Sequence, residues 1–330
     1  MENPYPISVD NTLKRNQNVD NYSMRNFRDI NVQFLNLFLI ADLSTIPVAN
    51  FFILCYICSV CKNMHELLEW SLHKMVKKWK VVFPSPNGPD ERRAYIYLPA
   101  SYKKNPDRRY PVLYMFDGHN VFFDTDATYG KSWGMKKFMD RSRTELIIAA
   151  VECNHSPDHG RLKEYSPYDF KDPGVGFIKG YGKTTMEWFI HYFKREIDSH
   201  FRTLPDRDHT FIAGSSMGGL MSLYALLAYN DYFSGAAALS PSIWTNMACM
   251  EQLIKESRLH PNTRIYMDYG SREMGFHKQM ETQFHKVTSL LLKKGIFLTS
   301  RIVPYGDHCE ACWEAQIPIF MQILLYKGYR

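Results

Sequence analysis

Gly214-Ser215-Ser216-Met217-Gly218-Gly219 stands between a short apolar run, His209-Thr210-Phe211-Ile212-Ala213, and an amphipathic stretch at residues 220–229. A serine placed there sits on a sharp turn from strand to helix. Gly214 and Gly218, two places before and two after Ser216, leave room for a corner that side chains would block, which is the spacing of a nucleophile elbow. Ser216 is the centred residue; centring on Ser215 would force Ala213 and Met217 into the small positions. The helix start behind it offers free backbone N–H groups and a positive dipole end, which suit an alkoxide or a tetrahedral oxyanion.

A serine hydroxyl is a poor nucleophile near neutral pH, so it needs a base and a third group that holds the base in the right tautomer. Two later turns supply candidates. A predicted strand at 264–268 runs into Tyr269-Gly270-Ser271-Arg272-Glu273, and the last predicted strand, at 300–303, runs into Pro304-Tyr305-Gly306-Asp307-His308. Serine, carboxylate, histidine is the chain order of an α/β-hydrolase triad, the last two each on a loop after a later strand. His308 is the expected base and Glu273 the expected orienting acid. Asp268 is the alternative acid, although at the strand's end it can point into the sheet instead. Asp307 reads as a turn residue. Among the 12 histidines, only His308 combines a glycine-containing loop, a preceding terminal strand and a following helix. His119, His155, His159 and His277 could approach a pocket from loops, but the chemistry assigns them no task.

Ester hydrolysis also requires donors aimed at the developing oxyanion. The Met217 N–H is one. The second is expected from Phe116-Asp117-Gly118-His119-Asn120, at His119 or one residue away, with Gly118 letting the backbone approach a substrate closely. The reaction is then acylation of Ser216, departure of the alcohol, and hydrolysis of the acyl-enzyme by water activated through His308. An acyltransferase on the same triad is the alternative. A non-catalytic binding protein is disfavoured by the intact serine, acid and histidine.

The elements that would position these groups are legible. The chain has 330 residues, 45% hydrophobic and 15% aromatic, enough for one α/β domain with an extension. Strands are predicted at 81–84, 94–98, 112–116, 146–151, 210–213, 236–239, 264–268 and 300–303, and helices at 185–200, 217–229, 277–294 and 311–326. The first two strands flank Pro84-Ser85-Pro86-Asn87-Gly88-Pro89 and should pair antiparallel, whereas the later ones are separated by helices that permit parallel crossovers. The expected fold is α/β, of α/β-hydrolase type: a mostly parallel eight-stranded sheet with helices on both faces. Residues 156–183 form a long loop, a kind of segment that is usually functional.

The formal net charge is +6 with the signs interspersed, which argues against a nucleic-acid partner. The run Lys74-Met75-Val76-Lys77-Lys78-Trp79-Lys80 reads as a solvated helix face. Residues 1–63 read as an N-terminal extension outside the catalytic domain, which spans 64–330. The apolar segment 34–61 is interrupted by Asp42, Pro47 and Asn50, the aspartate and the proline being costly in a membrane span, and no small-residue cleavage site follows it; a packed or loose N-terminal helix is a further reading. Membrane contact would arise only if 34–61 acts as an anchor. Seven cysteines, an odd number, suit a reducing compartment and a cytoplasmic location, with membrane anchoring as the alternative. Cys309-Glu310-Ala311-Cys312 and the triplet Cys55, Cys58, Cys61 lack the second pair or flanking histidines of a zinc site, so neither metal nor organic cofactor is expected.

Several blocks resemble the putative esterase branch of the α/β hydrolases, the group of esterase D, feruloyl and acetylxylan esterase-like domains, and the enterobactin and bacillibactin trilactone esterases. The resembling residues run from Arg109-Tyr110-Pro111-Val112-Leu113-Tyr114-Met115-Phe116-Asp117-Gly118-His119-Asn120-Val121-Phe122 through 213–219, Ala238-Leu239-Ser240-Pro241-Ser242-Ile243-Trp244 and 268–273 to Gly306-Asp307-His308 with Trp313. The likeness covers about residues 80–330. It implies a triad of Ser216, Glu273 and His308 and a small-molecule ester substrate, with siderophore trilactones, cell-wall acyl esters and small thioesters as the family's substrate classes. Trp133, Arg161 and Tyr165 lie in segments that could line the pocket, Arg161 as a contact for an anionic catechol. Quaternary state is not written in these residues.

Overall fold

A computed structural model of the chain describes residues 76–85, 88–275 and 279–326. All of them belong to the second of two compact units, Ser71–Arg330. The extension at 1–63 and its apolar segment lie outside the described residues, as does His277.

The strands are β1 (Val76–Ser85), β2 (Gly88–Tyr97), β3 (Val112–Met115), β4 (Ile147–Val151), β5 (Phe170–Asp172), β6 (Gly176–Ile178), β7 (Thr210–Ser215), β8 (Gly235–Leu239), β9 (Arg264–Gly270) and β10 (Phe297–Val303). Eight of them make one sheet in the order β1-β2-β4-β3-β7-β8-β9-β10. β2 pairs antiparallel with β1 and β4, and every other neighbour pair is parallel. The expected eight-stranded, mostly parallel α/β-hydrolase sheet is the observed one.

Period-two alternation assigns each central strand to two cores at once. On β3, Val112 and Tyr114 enter one apolar cluster and Leu113 and Met115 the other. The helices divide accordingly. One cluster takes α3 (Gly182–Trp188), the π-helical turn Phe189–Lys194 that runs on from it, α4 (Arg195–His200), α5 (Met217–Ala228), α6 (Met247–Glu256) and α7 (Met280–Leu292). The other takes α1 (Met135–Ser142) and α8 (Glu310–Leu324). The short α2 (Gly160–Glu164) belongs to the loop after β4.

Two segments depart from the expectation. From Val76 onward the lysine-rich run is strand rather than helix: Val76, Val81 and Phe83 are buried while Lys77, Lys78 and Lys80 are exposed. β1 is the sheet's edge, and lysines there discourage pairing with another chain. The stretch 156–183 is not structureless, because it holds α2 and the β5-β6 hairpin. Runs of three to five residues are too short for periodicity to reveal.

Strand order turns around at β3, which has β4 on one side and β7 on the other. In open α/β sheets, ligands bind outside the carboxyl ends of the strands at such a switch point. Ser216 follows β7 directly, and the loop carrying Asp117 and His119 follows β3.

Candidate active site

Ser216 has φ 57° and ψ −122°, a conformation that L-residues rarely adopt, and it caps the N-terminus of α5. Strain of this kind costs on the order of 1–3 kcal/mol and persists only where surrounding structure enforces it. The enforcement is visible. Ser216 N donates to Leu239 O at 2.9 Å, and its carbonyl accepts from Ser242 N at 3.0 Å and Leu220 N at 3.0 Å. A Cβ on Gly214 would lie 2.6 Å from the Gly218 carbonyl, and one on Gly218 would lie 3.1 Å from Phe116 Cβ. The corner is therefore closed on both sides by backbone and by the β3 loop.

Glu273 is 2% exposed. One carboxylate oxygen, Oε1, accepts from Gly270 N at 2.8 Å and Ser240 Oγ at 2.7 Å; the other, Oε2, lies 2.6 Å from His308 Nδ1. Trp313 Nε1 donates to Ser240 Oγ at 3.1 Å, and the Trp313 ring meets the His308 ring edge-on with centroids 5.1 Å apart. The carboxylate thus has fixed partners on both oxygens, and the imidazole has an aromatic neighbour as well as a fixed partner at one nitrogen. Ser240 has φ 43° directly after β8. Its role and that of Trp313 carried no signal in the sequence beyond membership of the resembling blocks.

Asp268 turns into the sheet instead. It accepts from Tyr266 OH at 2.6 Å and Ser240 N at 3.3 Å, and burial pushes its carboxyl up to about 7. Asp307 is exposed and accepts from Arg272 Nη1 at 3.1 Å, a turn contact.

Ser216 and His308 line the same two cavities. A small one of about 160 Å³ also includes Ser242, Glu273 and Trp244. The larger is a cleft of about 680 Å³, walled by the loops after β3, β4 and β10. Ser242 Oγ is 3.5 Å from Ser216 Oγ.

Across the cleft, Asp117 has φ 54° and ψ 50° and caps a single 3-10 turn, Gly118–Asn120. Within that turn Asn120 N donates to Asp117 O and Val121 N to Gly118 O, so the Gly118 and His119 amides come too early in it to have carbonyl partners there. Met217, the first residue of α5, likewise has an amide that no intrahelical carbonyl can reach. Packing also requires a glycine at 118: a Cβ there would lie 2.9 Å from the Val151 backbone and from Tyr95.

Arg161 reaches this turn from α2. Its Nε donates to Asp117 Oδ1 at 2.8 Å and its Nη2 to Oδ2 at 2.7 Å. Burial alone would push the Asp117 carboxyl up, but the Arg161 charge outweighs it and holds the group below its ordinary range. Arg161 lines the cleft. Trp133 and Tyr165, expected at the pocket wall, lie in the core. The Trp133 ring is 3% exposed and packs on Trp313 and Phe320. Tyr165 is 1% exposed, packs on Phe116, and accepts from Asp117 N at 3.1 Å. Both are large aromatics that the sheet's cores absorb before the cleft can, and Tyr165 supports the β3 loop from below.

His159 and Glu310 also face the cleft. Glu310 is 6% exposed, and burial raises its carboxyl above the ordinary value. On the wall formed by the β3 and β4 loops, His119, Cys153 and His155 bring three potential ligand atoms within 4.8 Å of one another. Cys153, Cys249, Cys309 and Cys312, the cysteines among the described residues, are free thiols. Also among the described residues, no helix is long and apolar enough to cross a membrane.

The chain is 28% identical over 191 residues to the uncharacterized protein YbbA of Bacillus subtilis, covering 57% of this chain and 71% of that one. It is 30% identical over 146 residues to Esterase Rv1288 of Mycobacterium tuberculosis, covering 44% of this chain but only 28% of that longer protein. Among solved structures, an IroE-like serine hydrolase from Shewanella oneidensis superposes with a TM-score of 0.58 at 19% identity, over 74% of this chain and 79% of that one. The model of the "Putative esterase" family matches residues 85–320. The chain therefore belongs to that family and is an esterase of the α/β-hydrolase fold.

Proposed function

We propose that the protein hydrolyses carboxylic esters through an acyl-enzyme on Ser216, with His308 as general base and Glu273 as the acid that orients it. The observation that carries the reading is the 2.6 Å contact between Glu273 Oε2 and His308 Nδ1, beside a serine held at φ 57° on the wall of the same cleft. With Nδ1–H donating to a buried carboxylate, His308 presents Nε2 as the free acceptor, the tautomer a base needs. His308 removes the Ser216 proton as the hydroxyl attacks the ester carbonyl. The Met217 amide and the His119 amide, or its neighbour Gly118, receive the oxyanion. His308 then protonates the leaving alcohol and activates the water that releases the acid.

The substrate is a small ester whose acyl or alcohol part occupies the cleft of about 680 Å³. Arg161 belongs to its wall, and its bidentate contact with Asp117 supports a role in positioning the β3 turn over one in gripping an anionic catechol. The catalytic unit is residues 64–330, located in the cytoplasm, and the hydrolytic step on Ser216, His308 and Glu273 calls for neither a metal nor an organic cofactor.

Turnover of p-nitrophenyl acetate and fluorophosphonate labelling test the reading, both lost in Ser216→Ala with the fold intact. Retained labelling in that variant overturns it. Catecholate trilactones, feruloyl sugars and S-formylglutathione, ranked by kcat/KM, identify the substrate class. Competing alcohols as acceptors separate hydrolysis from acyl transfer.

A further inference from the structure

We propose that His119, Cys153 and His155 form a binding site for a divalent zinc-class ion, with its fourth coordination position open to the cleft. The three residues come from the carboxyl ends of neighbouring parallel strands, His119 from the turn after β3 and the other two from the loop after β4. Their ligand atoms lie within 4.8 Å of one another. The His119 and His155 rings meet edge to face with centroids 4.7 Å apart, and all three residues line the cleft that also contains Ser216.

The independent sign of a ligand is on His119. The residue is 4% exposed, yet its Nδ1 has no hydrogen-bond partner. A buried, unpaired ring nitrogen is costly unless something binds it. The other nitrogen, Nε2, lies 3.0 Å from Thr128 Oγ1, and Thr128 is itself fixed by its amide donating to Asn120 Oδ1 at 3.0 Å. With Nε2–H donating to Thr128, the lone pair falls on Nδ1. This is how proteins set the tautomer and ring orientation of a metal-ligating histidine.

Two imidazoles and one thiolate suit zinc or cobalt, and three protein ligands with one open position is the arrangement of metal sites that bind an exchangeable molecule. Tetrahedral zinc with bonds of about 2.0–2.3 Å needs its ligand atoms roughly 3.3–3.8 Å apart. The site must therefore contract by roughly 1 Å, a movement that falls to His155, the exposed member of the three. Burial and the neighbouring Asp117 carboxylate hold the Cys153 thiol well above its ordinary range, so the charge of the ion must drive ionisation: the S–H bond breaks, sulfur bonds the metal as thiolate, and the proton leaves through the cleft to solvent. The position is separate from the Ser216, His308 and Glu273 constellation, so it stands whether or not the hydrolytic reading holds.

The test is a titration of the full chain with Co2+ alone, followed by displacement with Zn2+. The expected result is one equivalent of Co2+ showing a thiolate-to-cobalt charge-transfer band. Cys153→Ser abolishes that band, and His155→Ala weakens affinity by at least about tenfold. The band survives in Cys309→Ser/Cys312→Ser. His155 is exposed, so its variant keeps the test sound even if Cys153→Ser fails to fold. Absence of the band in the unmodified chain, or unchanged affinity in His155→Ala, overturns the proposal.

Discussion

Arg161 and Asp117 join end to end in a two-point contact, Nε to Oδ1 at 2.8 Å and Nη2 to Oδ2 at 2.7 Å, across 44 residues of sequence. The contact ties α2 to the turn that would receive the oxyanion. Arg161→Ala leaves the Asp117 carboxylate buried without its cation, which costs roughly 3–5 kcal/mol when such a pair is broken. Steady-state kinetics on the variant should show kcat falling more than KM rises, because the turn and not the substrate has lost its hold. A rise in KM alone, with kcat unchanged, would make Arg161 a substrate contact instead.

The two carboxyls near the end of β9 should behave oppositely. Glu273→Gln replaces an acceptor with a group that can leave His308 in the wrong tautomer, and kcat should drop by roughly 10^4-fold. Asp268→Asn should keep kcat within a few-fold, since Asp268 bonds Tyr266 and Ser240 N rather than the imidazole. Single-substrate kinetics on the two variants checks the pair.

Asp268 also sets a pH dependence. Burial raises its folded-state pKa to about 7, so between about pH 4 and 7 the native state binds more protons than the unfolded chain. Stability contributed by this group is full below pH 4 and is lost as pH rises through 7. Glu164, beside Arg92, is pushed up to about 7 by burial and adds to the same slope. Urea denaturation at a series of pH values should show falling stability over that window. Asp268→Asn should remove its share, on the order of 2–4 kcal/mol, while the Glu164 share remains.

Backbone strain at the elbow predicts an inverted preference. Glycine in place of alanine is ordinarily destabilising, yet at position 216, where φ is 57°, Ser216→Gly should be more stable than Ser216→Ala by about 1 kcal/mol. Thermal melts of the two inactive variants compare them directly.

Gly214→Ala should fail more severely. The new Cβ would lie 2.6 Å from the Gly218 carbonyl, and backbone cannot yield as a flexible side chain can. A loss of roughly 2–3 kcal/mol or more, together with loss of turnover, is expected from denaturation and activity assays.

The sequence by itself determined the elbow, the strand succession and the candidates Ser216, Glu273 and His308. These are carried by local signals: glycines around a corner, apolar runs of strand length, and polar turns after them. The tertiary structure alone decided which carboxylate faces the imidazole, since Asp268 and Glu273 are five positions apart and only the β9 exit angle separates them. It likewise sent Trp133 and Tyr165 into the core, made the lysine run an edge strand, and drew Arg161 onto Asp117. It also placed Ser240 and Trp313 around the Glu273–His308 pair, and brought His119, Cys153 and His155 together. Each of these depends on contacts between strands adjacent in space but distant along the chain, and pairing order across a parallel sheet leaves no periodic trace in the residues themselves.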